Sequence, residues 1–136
     1  MIVVDSSAVI AMMLNETPAA ALVARLTTDP DRVMSIASYL EAGTVLAGRR
    51  RRDRLKAIDE LDAFLAEVGI DLVPVDIAQG RLALAARITH GRGMGHGGTL
   101  NFGDAFSYAL ARSRDAPLLF VGNDFFTTDI SAALPL

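Results

Sequence analysis

Four acidic residues are placed where a chain can do phosphate chemistry: Asp5 in IVVDSSA, Glu41 in SYLEA, Asp104 in NFGDAFSYALA and Asp124 in LLFVGNDF. Each falls at the start of a predicted helix, and Asp5 and Asp124 follow predicted strands. Carboxylates distant in sequence but set at the same ends of successive elements can converge when an α/β domain folds. Their mutual repulsion disfavours ionisation, and a hard, oxygen-seeking cation such as Mg²⁺ relieves it. A cluster of that kind is suited to cutting phosphodiesters.

Each acid taken singly also has a plain structural use. Asp5 can cap the first helix, and Asp124 with Asn123 can cap the last. Ser38-Tyr39-Leu40-Glu41 has the spacing of a capping box, and Asn101-Phe102-Gly103-Asp104 sets an acid at the equivalent third position, where the helix dipole favours it. In the helix after Asn101, the residues Phe102, Phe106, Ala109 and Leu110 share one apolar face. Asp104 lies on the other side with Ser107 and Tyr108, facing either solvent or a cleft.

The elements that must hold these residues can be read in order. Ile2 to Val4 is a short apolar strand, and Asp5 caps a helix over 6–14. Thr17-Pro18 opens a helix to about Thr28, with proline at its first position. After the turn Asp29-Pro30-Asp31, Val33 to Ile36 reads as a second strand and 38–51 as a helix. Asp53 starts another helix, apolar at Leu55, Ile58, Leu61, Leu65 and Val68, with Gly69 as its stop. Ile70 to Val75 is a third strand. Asp76 with Gln79 forms a capping-box-like start for a helix to about Thr89. A glycine-rich loop spans Gly91 to Gly98, Asn101 opens a helix to about Arg112, and Leu118 to Val121 is a fourth strand ahead of a helical turn at Asn123-Asp124. Strands separated by helices predict a parallel sheet covered on both faces. Ligands of such sheets sit beyond the carboxyl ends of the strands, where Asp5 and Asp124 stand.

At 136 residues the chain is expected to form one domain, 1–136, with no repeat or linker. It is 51% hydrophobic, with a mean hydropathy of +0.35. The longest apolar run, Ala8 to Leu14, is too short to span a bilayer, which takes about 20 residues. The surplus is therefore expected to cover a partner surface, and the helices over 6–14 and 17–28 are its richest source. No export signal opens the chain, and cysteine is absent, so disulfides and thiolate metal sites are excluded and a cytoplasmic setting is expected. The net charge of −3 conceals an asymmetry, because six of the 13 basic residues lie in RRRRDRLK, Arg49 to Lys56. That run is either a solvated face between helices or a phosphate-contacting patch.

Other chemistries find less support. His90 and His96 have no cysteine partners for zinc. Gly93, Gly95 and Gly98 match G-x-G-x-x-G, but after a helix instead of a strand, which removes the physical basis of a dinucleotide site. There is no P-loop and no nucleophile elbow. A receiver-like phospho-switch would use an acidic pair after the first strand and a lysine near the C-terminus. Here one acid follows that strand, and the sole lysine is Lys56. A binding module whose acids merely cap helices is the other alternative to an enzyme.

Four segments in order, IVVDSSAVIAMMLNE, SIASYLEA, LNFGDAFSYALA and PLLFVGNDFFTTDI, resemble the PIN domain over nearly the whole chain, and specifically a VapC-type toxin of a bacterial toxin–antitoxin pair. The resemblance implies a three-layer α/β/α fold with a central, mostly parallel sheet of four to five strands. It implies an endoribonuclease dependent on Mg²⁺, with Mn²⁺ as the alternative, neutralised by a cognate antitoxin and assembled as a homodimer. On it, Asp5 and Asp104 are the principal metal ligands, Glu41 completes the coordination or orients a water, and Asp124 is an auxiliary ligand. Ser6 or Ser7 would hydrogen-bond the Asp5 carboxylate or the metal's waters, and Thr127, Thr128 and Asp129 belong to a polar segment lining the same site. Asn123 stands at a position where similar sequences can carry a second acid beside Asp124.

Overall fold

Ile2–Val4 (β1) is the innermost element, because its residues are β-branched and wholly buried on both faces. In the computed structural model, which describes residues 1–135, β1 pairs in parallel with Arg32–Ser35 (β2) on one side and Leu118–Leu119 (β4) on the other. Ile70–Val73 (β3) pairs in parallel with β2, so the sheet has the order β3-β2-β1-β4. This differs from the 2-1-3-4-5 order of receiver-type folds. The four strands meet the lower end of the expected number, and the sheet is parallel throughout.

Alternation along the strands divides the core into two layers. Ile2, Val4, Met34 and Leu119 point toward Ser6–Met13 (α1), Ala19–Thr27 (α2), Ile36–Gly48 (α3) and Lys56–Val68 (α4). Val3, Val33, Leu118 and Phe120 point toward Ile77–His90 (α5) and Asp104–Arg114 (α6), where they meet Ala86, Tyr108 and Leu110. Leu61 and Leu65 bury one stripe of α4 at helical spacing, each contributing about 2 kcal/mol of apolar burial. Gly69 ends that helix in the left-handed conformation, at φ 68°, which glycine adopts without steric cost.

Several boundaries differ from the sequence reading for local reasons. Ile36 opens α3 instead of closing β2, because Ser35 is the cap: its hydroxyl accepts the N–H of Ala37 at 3.2 Å. Ser38 is therefore inside the helix and is not its cap. Thr17 makes no capping bond; α2 is entered through Pro18 in a helical conformation, with Ala19 N–H donating to the Glu16 carbonyl. Asn123 and Asp124 lie in a turn and not a helix.

The surplus apolar surface is spread more widely than the composition indicated. In α1 and α2, Ala8, Val9, Ala11, Met12, Leu22 and Leu26 are consumed by the core. Leu14 and Val23 stay exposed there, and the most exposed apolar side chains include Leu40 and Leu55 on the α3–α4 side and Ile77, Leu84, Ile88 and Phe102 on the α5–α6 side. Among the described residues no helix is long and apolar enough to cross a membrane.

Candidate active site

The sheet order places its switch point between β1 and β4, where the chain leaves β1 in opposite directions for its neighbours. In parallel sheets that is where a crevice opens beyond the carboxyl ends. A cavity of about 230 Å³ lies there, lined by Asp5, Ser6, Ser7, Glu41, Asn101, Asp104 and Asp124, with Ile10, Val45, Val121 and Phe125 as its apolar wall. Four acids spread from Asp5 to Asp124 thus share one cleft. Asp5 arrives from the end of β1, Glu41 from the first turns of α3, Asp104 from the start of α6 and Asp124 from the turn after β4.

Asp5 is 2% exposed and is held entirely by neutral donors. Its Oδ2 accepts from Ser7 N–H at 3.0 Å and from Ser7 Oγ at 2.6 Å. Its Oδ1 accepts from Ser107 Oγ at 2.5 Å, and Ser38 Oγ lies 2.9 Å behind Ser107. The capping role read for Asp5 is real, yet it occupies only one of the two oxygens. Ser7 Oγ also accepts Val121 N–H at 3.0 Å, which ties α1 to the segment after β4.

Glu41 is not part of a capping box. Its carboxylate accepts from Ser6 Oγ, across from α1, and it fills the space beside Gly103, where a methyl group would overlap it. Of Ser6 and Ser7, either of which was expected to serve Asp5 or a metal's waters, Ser7 serves Asp5 and Ser6 serves Glu41.

Asp104 is 5% exposed and does form the capping box expected of it. Asn101 N–H donates to its Oδ2 at 3.0 Å while Asp104 N–H donates to Asn101 Oδ1 at 2.8 Å. Burial is the main reason its pKa is pushed up to about 7, opposed by the bond from Asn101 and reinforced by the charges of Asp5, Asp124 and Glu41. Helix α6 is buried on both sides: Ala109 and Leu110 of the expected apolar face pack in the core, Asp104, Ser107 and Tyr108 of the polar face are buried as well, and Phe102 just before the helix is 73% exposed.

Asp124 stands at the more open rim, 3.7 Å from Arg92 of the glycine-rich loop, and its carbonyl accepts from Thr99 Oγ1 at 2.6 Å. Thr127, Thr128 and Asp129 do not line the cleft. Thr127 meets Thr99, Thr128 Oγ1 donates to the Phe125 carbonyl, and Asp129 accepts from Tyr108 Oη at 2.6 Å with Arg112 nearby. Asp129 lines a separate polar hollow with Arg112, Asp115 and Ser131. Burial, and then the bond to Asp129, pushes the Tyr108 hydroxyl up to about 12. The arginines of the Arg49–Arg52 run begin at the C-terminal end of α3. Arg49 lies about 12 Å along the helix axis from Glu41 at 1.5 Å per residue, and Arg50 is tied to Glu60 and to the carbonyls of Arg52 and Asp53.

Ser38, Ser107 and Asn101 are the site residues that the sequence did not single out as such. Their signal was spacing: Ser38 precedes Glu41 by one helical turn, and Ser107 follows Asp104 by one, so each serine shares a face with an acid. Among the described residues no three acidic, histidine or cysteine side chains are drawn together into a ready-made ligand set.

Fold and cleft together define a parallel α/β protein with an all-oxygen acidic site at its switch point. The chain belongs to the PIN-domain family, whose model matches residues 2–130, and within it to the VapC ribonucleases. It is 46% identical to Ribonuclease VapC28 of Mycobacterium tuberculosis over 132 residues, 97% of either chain. It is 43% identical to Ribonuclease VapC30 of the same organism, covering 98% of this chain and 99% of that one. Among solved structures it is similar to VapC20 of M. tuberculosis, a sarcin-ricin loop cleaving toxin, with a TM-score of 0.75 at 18% identity over 99% of this chain and 100% of that one. A toxin–antitoxin complex from Klebsiella pneumoniae matches with a TM-score of 0.69 at 14% identity over the full length of both chains. At such identities these two speak for the fold alone.

Proposed function

We propose that this protein is the toxin of a toxin–antitoxin pair, an endoribonuclease that hydrolyses RNA phosphodiesters with a divalent metal ion held at the acidic cleft. The observation that carries the reading is the gathering of Asp5, Glu41, Asp104 and Asp124 around one cavity in a chain of the VapC family. The donor set suits Mg²⁺ or Mn²⁺, since it offers only oxygens. Mg²⁺ keeps several of its waters and takes one or two carboxylates plus phosphate oxygens, so a pre-closed cage of three ligands is not required. Burial, and after it the charges of Asp5, Asp124 and Glu41, raise Asp104, and a cation bound beside it would favour the ionised form.

Asp5 and Asp104 would hold the ion, with Glu41 completing its surroundings and Asp124 acting from the rim. When bound, the ion would polarise the phosphate and make a water nucleophilic near neutral pH. The chain supplies the rest: Ser7 and Ser107 orient Asp5, Ser6 orients Glu41, and Asn101 orients Asp104. Arg92 is positioned to offset carboxylate charge as a polyanion approaches. The exposed apolar faces on the α3–α4 and α5–α6 sides support association with an antitoxin and with a second copy of the chain. A chain that hydrolyses cellular RNA would act in the cytoplasm.

The test is cleavage of total RNA by the purified, antitoxin-free chain in Mg²⁺ or EDTA, beside Asp5→Asn. Discrete cuts that need metal and vanish in the variant are expected. Cuts that persist in Asp5→Asn, or that survive EDTA, would overturn the assignment of the site.

A further inference from the structure

A carboxylate has about four lone-pair directions, and a hydroxyl has one proton to give. Applied to Asp5, this accounting leaves little freedom. Two donors from Ser7 fill Oδ2, and Ser107 takes one direction on Oδ1. One lone pair remains, and it belongs to the oxygen that Ser107 grips. Since the Ser107 proton goes to Asp5, the contact with Ser38 can be made only with Ser38 as donor. The relay therefore runs one way, from Ser38 on α3 to Ser107 on α6 to Asp5 after β1. All three groups are at most 2% exposed, so water does not substitute for a missing member.

We infer that Ser107, oriented by Ser38, is a positioning residue that fixes which lone pair Asp5 presents to the cleft. The inference rests on the proposal above that Asp5 holds a divalent cation. Helix α3 comes from one layer and α6 from the other, and the relay joins them through a side-chain hydrogen bond. Losing it leaves Asp5 tethered through Oδ2 alone and able to swing about that anchor. Partners one shell removed from a metal alter its affinity by about 10–100-fold when deleted.

The experiment is Mn²⁺ binding to the purified full-length chain, followed by the loss of the free-ion electron paramagnetic resonance signal. Thermal unfolding in EDTA is measured alongside. Ser107→Ala is expected to weaken Mn²⁺ about tenfold. Ser38→Ala, which touches neither Asp5 nor the cleft, is expected to weaken it less. The double variant should bind like Ser107→Ala alone, because Ser38 acts only through Ser107. It also leaves no orphaned hydroxyl at position 38. A Ser107→Ala protein that unfolds at lower temperature yet binds Mn²⁺ like wild type would overturn the inference and leave the serines as structural ties. Should Ser107→Ala fail to fold, Ser38→Ala decides, with unchanged binding counting against the relay. Wild type that takes up no Mn²⁺ would instead overturn the metal reading itself, and this inference with it.

Discussion

The cleft and the loop that joins α3 to α4 are both crowded with charge, and they handle it in opposite ways. In the loop, Arg50 pairs with Glu60, and Lys56 lies 3.8 Å from Asp53 with both side chains 65% exposed. The excess positive charge is exposed at Arg49, Arg51, Arg52 and Arg54, where water screens it, and such surface pairs contribute about 0–1 kcal/mol. In the cleft, Asp5 and Asp104 are almost wholly buried, and their direct partners are serine hydroxyls and backbone N–H groups. Those donors satisfy hydrogen bonding without cancelling charge. The difference teaches that density of charge does not mark a site. A like-signed group held out of water by a rigid frame does, because its imbalance is available to a ligand.

The largest effect should come from removing that imbalance. Asp104→Asn is expected to lower cleavage by about a hundredfold or more, since the proposed metal would supply several kcal/mol to the transition state and each 1.36 kcal/mol is tenfold. The same variant should be more stable than wild type in metal-free buffer. The sign follows from a folded-state pKa of about 7 against 3.8 for the ordinary carboxyl. The folded state binds the proton more tightly, so the Asp104 contribution is most favourable below pH 3.8 and is lost as pH rises to about 7. Melting in EDTA should therefore show the gain above pH 7 and a shrinking one toward pH 4. A variant less stable than wild type at pH 8 would break the contrast between the two regions.

Gly103→Ala should come next. A methyl there overlaps the Glu41 carboxylate, which sits at the far end of a flexible side chain and can swing away. Cleavage should fall about tenfold, in the range seen when a supporting partner is lost, while the melting temperature moves by only a few degrees. A large loss of stability with full activity in the folded fraction would show that Glu41 has no part in the chemistry.

Replacing Arg49, Arg51 and Arg52 by alanine bears on the other region. A phosphate-contacting run would make the salt dependence of RNA binding shallower by up to about 0.7 log units per lost contact to single-stranded RNA. Equal slopes for variant and wild type would assign the run to a solvated face. Least of all is expected from Arg50→Ala, whose loss of the Glu60 pair should cost under about 1 kcal/mol in chemical denaturation.

Much of the frame was legible because its signals are local. The β-branched run at Ile2–Val4, the αL stop at Gly69 and the caps at Asp5, Asp76 and Asn101 each involve residues a few positions apart. The acids of the cleft were legible too, through their placement at element ends. What failed was the partnership of those acids. Ser38 looked like a cap for its own helix, and it bonds to α6 instead; Glu41 looked like the other half of that cap, and it bonds to α1. The apolar side of α6 was read correctly at Ala109 and Leu110, but periodicity left open whether its polar side met solvent or a cleft, because hydroxyls and a carboxyl count as polar even when another helix covers them. Asp129 followed the site acids in sequence but turned toward Tyr108.

The amino-acid sequence alone therefore settled the alternation of strands and helices and singled out four acids at element ends, since periodicity, capping and residue type are properties of short stretches. The tertiary structure decided which oxygen each donor grips, which apolar faces remain uncovered, and that α3 and α6 from opposite layers close over the end of β1. Those outcomes depend on how layers cross a sheet edge, and that geometry is set by the packing of the whole core.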